Sequence, residues 1–339
     1  GQSDRLPGRR VMKKTVRLVT TMLLAFAAAG AFAQTAATGP GQAYPVKQIR
    51  FLVGYAPGGG TDIMARAVAA KLAESLGQQV IVDNRPGANA NLAAEIAAKT
   101  PADGYTVLMI SVSHAISKPF YKKMAYDLER DFTPLAEISI VPQFVIVHPS
   151  LPVKTLKDFI VLAKKQPGQI PFASSGDGSP EHIAAELLKG MAKIDMIHVP
   201  YKGGSPAALA LISGEVAIGF NTAPVAIPHI KSGRVKALAV TGKERNAATP
   251  DVPTVAESGV PGYSMNTWYG AVMPAGTPVA IIAKLNAEIN RILRLPDIRE
   301  RFAALGADPV GGSPEQFGST IKSEVAKFTK VVRDAHLGQ

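Results

Sequence analysis

The sequence predicts an α/β protein built as two lobes. Three observations carry this expectation. Strand-like and helix-like runs alternate along most of the chain, glycine-rich loops stand at three strand-to-helix junctions, and 339 residues exceed what one hydrophobic core usually organises.

Taken in order, residues 35–43 are small and polar and read as a flexible leader. Ile49–Val53 reads as a strand; Ile63, Met64, Ala67, Val68, Leu72 and Leu76 recur at helical spacing, with Gly77 where a C-terminal cap belongs. Val80–Val82 reads as the next strand, Leu92–Ala98 as a helix and Thr106–Ile110 as a third strand. Such a βαβαβ run implies a parallel sheet with helices on its faces.

A second series opens near Gln143–Val147. Strands are expected at Ile170–Ala173, Met196–Val199, Val216–Phe220 and Val235–Val240, with helices from Leu156, Glu181 and Ala207. Trp268–Met273 reads as a returning strand, and two helices near Val279–Arg294 and Pro314–Ala335 end the chain. Having no strands of their own, these are expected to pack on the first lobe. The expected partition puts 44–141 and 268–339 in lobe one and 142–267 in lobe two, joined by two hinge-forming crossovers.

Composition narrows the function class. Apolar content of 47% with 19% charged residues is that of an ordinary globular chain. The net charge is +11, but residues 1–34 hold six Lys/Arg against one Asp, +5, which leaves +6 spread over the rest. That dispersion, without basic–aromatic interleaving, argues against a nucleic-acid partner. Arg9, Arg10, Lys13, Lys14 and Arg17 precede an apolar stretch from Leu18 to Gly30, and Ala31-Phe32-Ala33 offers small residues for cleavage. This is the layout of a secretory signal peptide over residues 1–33, with residues 1–11 upstream of a natural start at Met12. The sequence contains no cysteine, which removes disulfides, thiolate metal sites and cysteine nucleophiles. An exported protein of this kind suits a bacterial periplasm.

The glycine-rich loops are the candidate site. Tyr55-Ala-Pro-Gly-Gly-Gly-Thr-Asp62 places Gly58, Gly59 and Gly60 where the backbone can approach a ligand, with Thr61 and Asp62 opening a helix. It is neither a Walker loop nor a spaced dinucleotide fingerprint. Ser174-Ser-Gly-Asp-Gly-Ser-Pro180 offers Ser174, Ser175, Gly176 and Gly178, with Ser179 as N-cap and His182 in the first turn. Pro200-Tyr-Lys-Gly-Gly-Ser-Pro206 offers Pro200 and Tyr201, and Ser205 as cap. Asn221, Ser111, Ser113 and His114 hold comparable positions after other strands. Free N–H groups and the positive end of the dipole at each helix start favour an anion such as a carboxylate.

Catalytic chemistry is sparse. The histidines, at 114, 148, 182, 198, 229 and 336, come no closer than 16 residues apart, unlike the compact spacing of most zinc sites, so no metal or other cofactor is expected. There is no G-x-S-x-G elbow. A secreted hydrolase or transferase with a seryl nucleophile at Ser174 or Ser175 stays open as an alternative, as does a solute sensor reporting to a membrane partner.

These loops, together with Val82-Asp-Asn-Arg-Pro-Gly87, Pro101-Ala-Asp-Gly-Tyr-Thr106, His198-Val-Pro-Tyr-Lys-Gly203 and Pro250-Asp-Val-Pro-Thr-Val-Ala-Glu-Ser-Gly259, resemble the tripartite tricarboxylate transporter substrate-binding family, the Bug-type periplasmic receptors. The resemblance covers nearly all of 44–335. It implies a type II periplasmic-binding-protein fold that closes on a carboxylate between its lobes and delivers it to membrane permease subunits. It also implies a grip by backbone N–H groups, hydroxyls and water, with one carboxylate at Gly59–Asp62 and Ser174–Ser179 meeting it from the other lobe. Asn221-Thr-Ala-Pro224 departs from the family's usual aromatic–Asp stretch, and Gly60 adds to a loop often holding two glycines; both leave the ligand's identity open.

Overall fold

The computed structural model describes residues 44–334. The signal peptide expected over 1–33 lies outside them, as does Ala335.

Strand β1 (Ile49–Val53) leads through loop one into helix α1 (Gly60–Leu76). Gly77 ends that helix in a left-handed conformation, φ 64°, its N–H donating to the Ala73 carbonyl. The conformation is cheap only for glycine. Strand β2 (Val80–Asn84), helix α2 (Asn91–Ala98) and strand β3 (Thr106–Ser111) complete the expected unit, with β1 parallel to both β2 and β3.

The sheet then turns mixed. Strand β4 (Phe132–Val147) begins well before Gln143 and is 16 residues long. Its first part pairs antiparallel with β9 (Asn266–Pro274) and β10 (Asp308–Gly311). Its last part pairs with β7 (Ile218–Thr222) and β8 (Lys236–Val240). The change of partner falls at Pro142, opposite Asn266 of β9, and Gln143, opposite Thr222 of β7. Proline cannot donate to a ladder, and Pro134 and Pro142 make this stretch read as loop in sequence. Strands β5 (Pro171–Ser174) and β6 (Ile197–Pro200) finish the sheet, β5 lying parallel to β6 and β7. The order across it is β2-β1-β3-β9-β4-β7-β5-β6.

Ten helices cover the sheet among the described residues. Helices α4 (Leu156–Lys165), α5 (Pro180–Ala192) and α6 (Gly204–Ile212) match expectation within a few residues. Helices α3 (Val112–Phe120) and α7 (Ala223–Lys231) were not expected, because Pro119 and Pro228 interrupt the periodic pattern. The chain ends with three helices rather than two, α8 (Val279–Ile292), α9 (Pro296–Ala304) and α10 (Pro314–Asp334), and β10 intervenes. Helix α8 packs on α1 and β4, and α10 on α3 and β4. One apolar cluster runs from Leu52, Leu108 and Val272 to Phe159, Phe172 and Phe220; another gathers Phe144, Ile146, Leu211 and Ile227. No helix among the described residues is long and apolar enough to cross a membrane.

Candidate functional site

Loops from both parts of the sheet converge on one small cavity. Tyr55, Gly59, Gly60 and Thr61 contribute from loop one, Ser111 and Ser113 from the start of α3, and Ser175, Pro180 and Glu181 from loop two. Gly204, Thr222, Thr267 and Tyr269 complete the wall. No Lys, Arg or His side chain is among these residues.

Capping sorts the helices that begin here. Helix α3 is capped by Ser111 in a capping box with His114, and α5 by Ser179, whose hydroxyl accepts from the His182 N–H. Helices α1, α6 and α7 start at Gly59, Gly203 and Thr222 without a side-chain cap. Their first residues, Gly60, Thr61 and Gly204, or the cap Thr222 itself, line the cavity. The leading N–H groups of a helix have no intrahelical acceptor, so uncapped starts at a shared hollow leave donors for an outside anion.

Loop one is stitched from behind. The Asp62 carboxylate, 2% exposed, accepts from the Gly58 N–H, Arg66 Nε and Asn84 Nδ2, each at 2.9 Å, and Asn84 also donates to the Tyr55 carbonyl. Asp62 therefore holds the loop's shape rather than facing the cavity. Gly58 likewise lies outside it, its missing side chain facing Ser205 at 3.4 Å.

A hydroxyl relay crosses the floor. Tyr55 Oη donates to Asn89 Oδ1 at 2.5 Å, which orients the rest: Ser113 Oγ, 2.6 Å away, donates to Tyr55, and Ser111 Oγ, at 2.7 Å, donates to Ser113. Burial pushes the Tyr55 and Tyr269 phenols up, so both stay neutral. Asn89 sits in a backbone run of left-handed residues, Ala88, Asn89 and Ala90, and its buried Nδ2 has no partner. It lines an adjoining cavity together with Gly176, Pro200 and Tyr201; Tyr55 and Ser175 belong to both walls.

Loop two spends most of its donors internally. His182 and His198 stack with centroids 3.8 Å apart and planes 9° apart, and Phe172 packs against both, 4.9 Å from His198 and 6.3 Å from His182. The Gly178 N–H donates to His182 Nδ1. His198 Nδ1 lies 3.3 Å from Asp177 Oδ1 and its Nε2 2.5 Å from Ser174 Oγ. Burial drives His182 down to about 3 and His198 to about 4. Wide sequence spacing hid this pairing. The ligand atoms of Asp177, His182 and His198 lie within 4.8 Å of one another, but parallel imidazoles direct their in-plane lone pairs along separate planes. Ser174, His198 and Asp177 have the order of a nucleophile–base–carboxylate relay, yet Ser174 is fully buried and lines neither cavity. It locks the loop.

Seven expected site residues thus reach the main cavity: Tyr55, Gly59, Gly60, Thr61, Ser111, Ser113 and Ser175. Ser174, Gly178, Ser179 and His182 stand behind loop two. Asn221 lies inside β7, its Nδ2 donating to the Gly204 carbonyl, and His114 faces a separate hollow beside Lys118 and Tyr126. Pro180, Glu181, Gly204, Thr222, Thr267 and Tyr269 were missed. Strand alternation could have paired Thr267 with Tyr269, since residues two apart share a face. Glu181 carried a signal as well, an acidic residue just inside a helix start. Its Oε2 accepts from Ser175 Oγ at 2.5 Å, and burial raises its pKa.

Comparison with known proteins gives concordant matches. The model of the tripartite tricarboxylate transporter family receptor matches residues 64–337. Protein BugT of Bordetella pertussis is 37% identical over 322 residues, covering 94% of this chain and 97% of its own. An R. palustris protein solved with adipate superposes with a TM-score of 0.85 at 35% identity, covering 87% of this chain and 99% of that one. MatC from Rhodopseudomonas palustris, solved with bound malate, gives 0.81 at 33% identity, with 85% and 100% covered.

Proposed function

The chain belongs to the tripartite tricarboxylate transporter receptor family, and from that premise we propose that it is a periplasmic solute-binding protein that captures a small carboxylate in the cavity at Gly60 and delivers it to membrane permease subunits. The observation that carries the reading is the meeting of three helix starts without side-chain caps, α1, α6 and α7, at a hollow lined by hydroxyls and no cationic side chain. Backbone donors suit capture followed by release. They are pre-oriented and neutral, so the ligand leaves without separating a buried ion pair. Adipate and malate in the related structures support a carboxylate ligand.

In this reading the lobes divide at 141/142 and 267/268; β4 runs from one part of the sheet to the other, changing partner at Pro142 and Gln143. Closure follows ligand binding because only the approach of both parts lets α1, α6 and α7 donate together. A sensor role would use the same closure. The relevant experiment is a thermal-shift panel of small carboxylates on the purified protein, followed by calorimetry on those that stabilise it. Micromolar binding of at least one acid supports the proposal.

A second reading keeps one specific observation, the 2.5 Å contact of Ser175 Oγ with the Glu181 carboxylate at the cavity wall. It makes Ser175 a nucleophile with Glu181 as its base. Turnover of an ester or amide panel, lost in Ser175→Ala, with no carboxylate binding, would replace the receptor reading.

A further inference from the structure

Glu181 is out of place in a cavity built only for anions. It occupies the second position of α5, is 5% exposed, and is the one acidic side chain among the lining residues. Two buried phenols, Tyr55 and Tyr269, carry part of the same wall and stay neutral. Nothing cationic lines the cavity to offset a carboxylate entering beside it.

The size of the cavity makes this consequential. Glu181 and the uncapped helix starts line the same small hollow. At a separation of roughly 8 Å and an effective dielectric of about 20, an ionised Glu181 disfavours a second carboxylate by about thirtyfold in affinity and favours an ammonium by up to the same factor, less the cost of ionising the buried carboxyl.

We propose that Glu181 is a specificity-determining residue that selects a zwitterion: a carboxylate held at the uncapped helix starts and a protonated amine facing the Glu181 carboxylate. This rests on the receptor reading above and names its substrate class. Ser175 is the positioning residue, its hydroxyl given to Glu181 Oε2 so that the carboxylate is fixed against the wall. In the empty cavity burial favours the protonated carboxyl; a bound ammonium restores the ionised one.

The test is calorimetry at neutral pH on the purified protein with two matched pairs. Adipate and 6-aminohexanoate exchange a carboxylate for an ammonium; malate and aspartate exchange a hydroxyl for one. The amine-bearing member should bind tighter in each pair it fits, by about tenfold or more, and Glu181→Gln should erase that preference. Ser175→Ala, which keeps the carboxylate, should retain the sign of the preference; melting temperatures of both variants identify any that fails to fold. Dicarboxylate or hydroxy acid binding as tightly as its amine partner in the native protein overturns the proposal and leaves the carboxylate-receptor reading standing. An amine preference unchanged in folded Glu181→Gln also overturns it. Failure of these four and of the whole carboxylate panel sinks the receptor reading itself.

Discussion

Gly60→Ala is the sharpest perturbation the geometry offers. A Cβ built on Gly60 would fall well under 3.0 Å from both Thr222 Oγ1 and Tyr269 Oη, so each oxygen must retreat by roughly half an ångström or more. Thr222 caps α7, whereas Tyr269 lies on β9 in the same part of the sheet as β1 and α1, and it is 2% exposed with little room to yield. Overpacking of this kind costs about 1–3 kcal/mol. The helix itself gains up to about 1 kcal/mol from replacing glycine with alanine, but that gain is present with or without ligand and cancels in binding. Carboxylate affinity should therefore fall by up to about 150-fold in calorimetry through the Thr222 contact, while the Tyr269 contact lowers the melting temperature of the ligand-free protein as well. Unchanged affinity would refute the claim that α1 must approach Thr222 for the ligand to be held.

Other expectations follow from the same contacts. Asp62→Ala strips Gly58, Arg66 and Asn84 of their common acceptor and should cost about 2–3 kcal/mol in denaturant unfolding, with ligand affinity lost through the loop. Gly270→Ala sets a Cβ into the Phe317 ring, away from the cavity, and should lower stability by about 1–3 kcal/mol while the folded fraction binds normally. His182 and His198 refuse protons in the fold until about pH 3 and about pH 4, whereas the unfolded chain takes them up near 6.5. Stability should therefore fall as pH drops from about 7 towards 4, by up to about 2 kcal/mol per histidine at pH 5. Unfolding midpoints at the two pH values check this, and His198→Gln should flatten the difference.

The legible parts of the chain were those with strong local signals. The α1 pattern with its Gly77 cap, the parallel β1–β2–β3 unit and the glycine loops were all visible because periodicity and turn chemistry are local. The long β4 was not, since Pro134 and Pro142 look like breakers and only pairing with β9 and β7 makes the segment a strand. Helices α3 and α7 were hidden by prolines near their ends. At the site, the glycine loops are legible because turn chemistry is local, whereas the direction of the side chains beside them is set by distant partners. Asp62, Ser174 and His182 looked like ligand contacts because they sit beside glycines; burial and partners show that they brace the loops. Thr267 and Tyr269 come from a strand more than 150 residues beyond Ser113, and no local pattern announces that they share a wall.

The central claim, that main-chain donors at Gly60, Thr61 and Gly204 receive a carboxylate, is tested most directly by a crystal structure of the protein with the tightest-binding acid of the panel. The account places a carboxylate oxygen within hydrogen-bonding reach of the Gly60 or Thr61 N–H, directly or through one water, with Thr222 and Tyr269 around it. A ligand seated elsewhere, or held mainly by a Lys or Arg side chain, would contradict it.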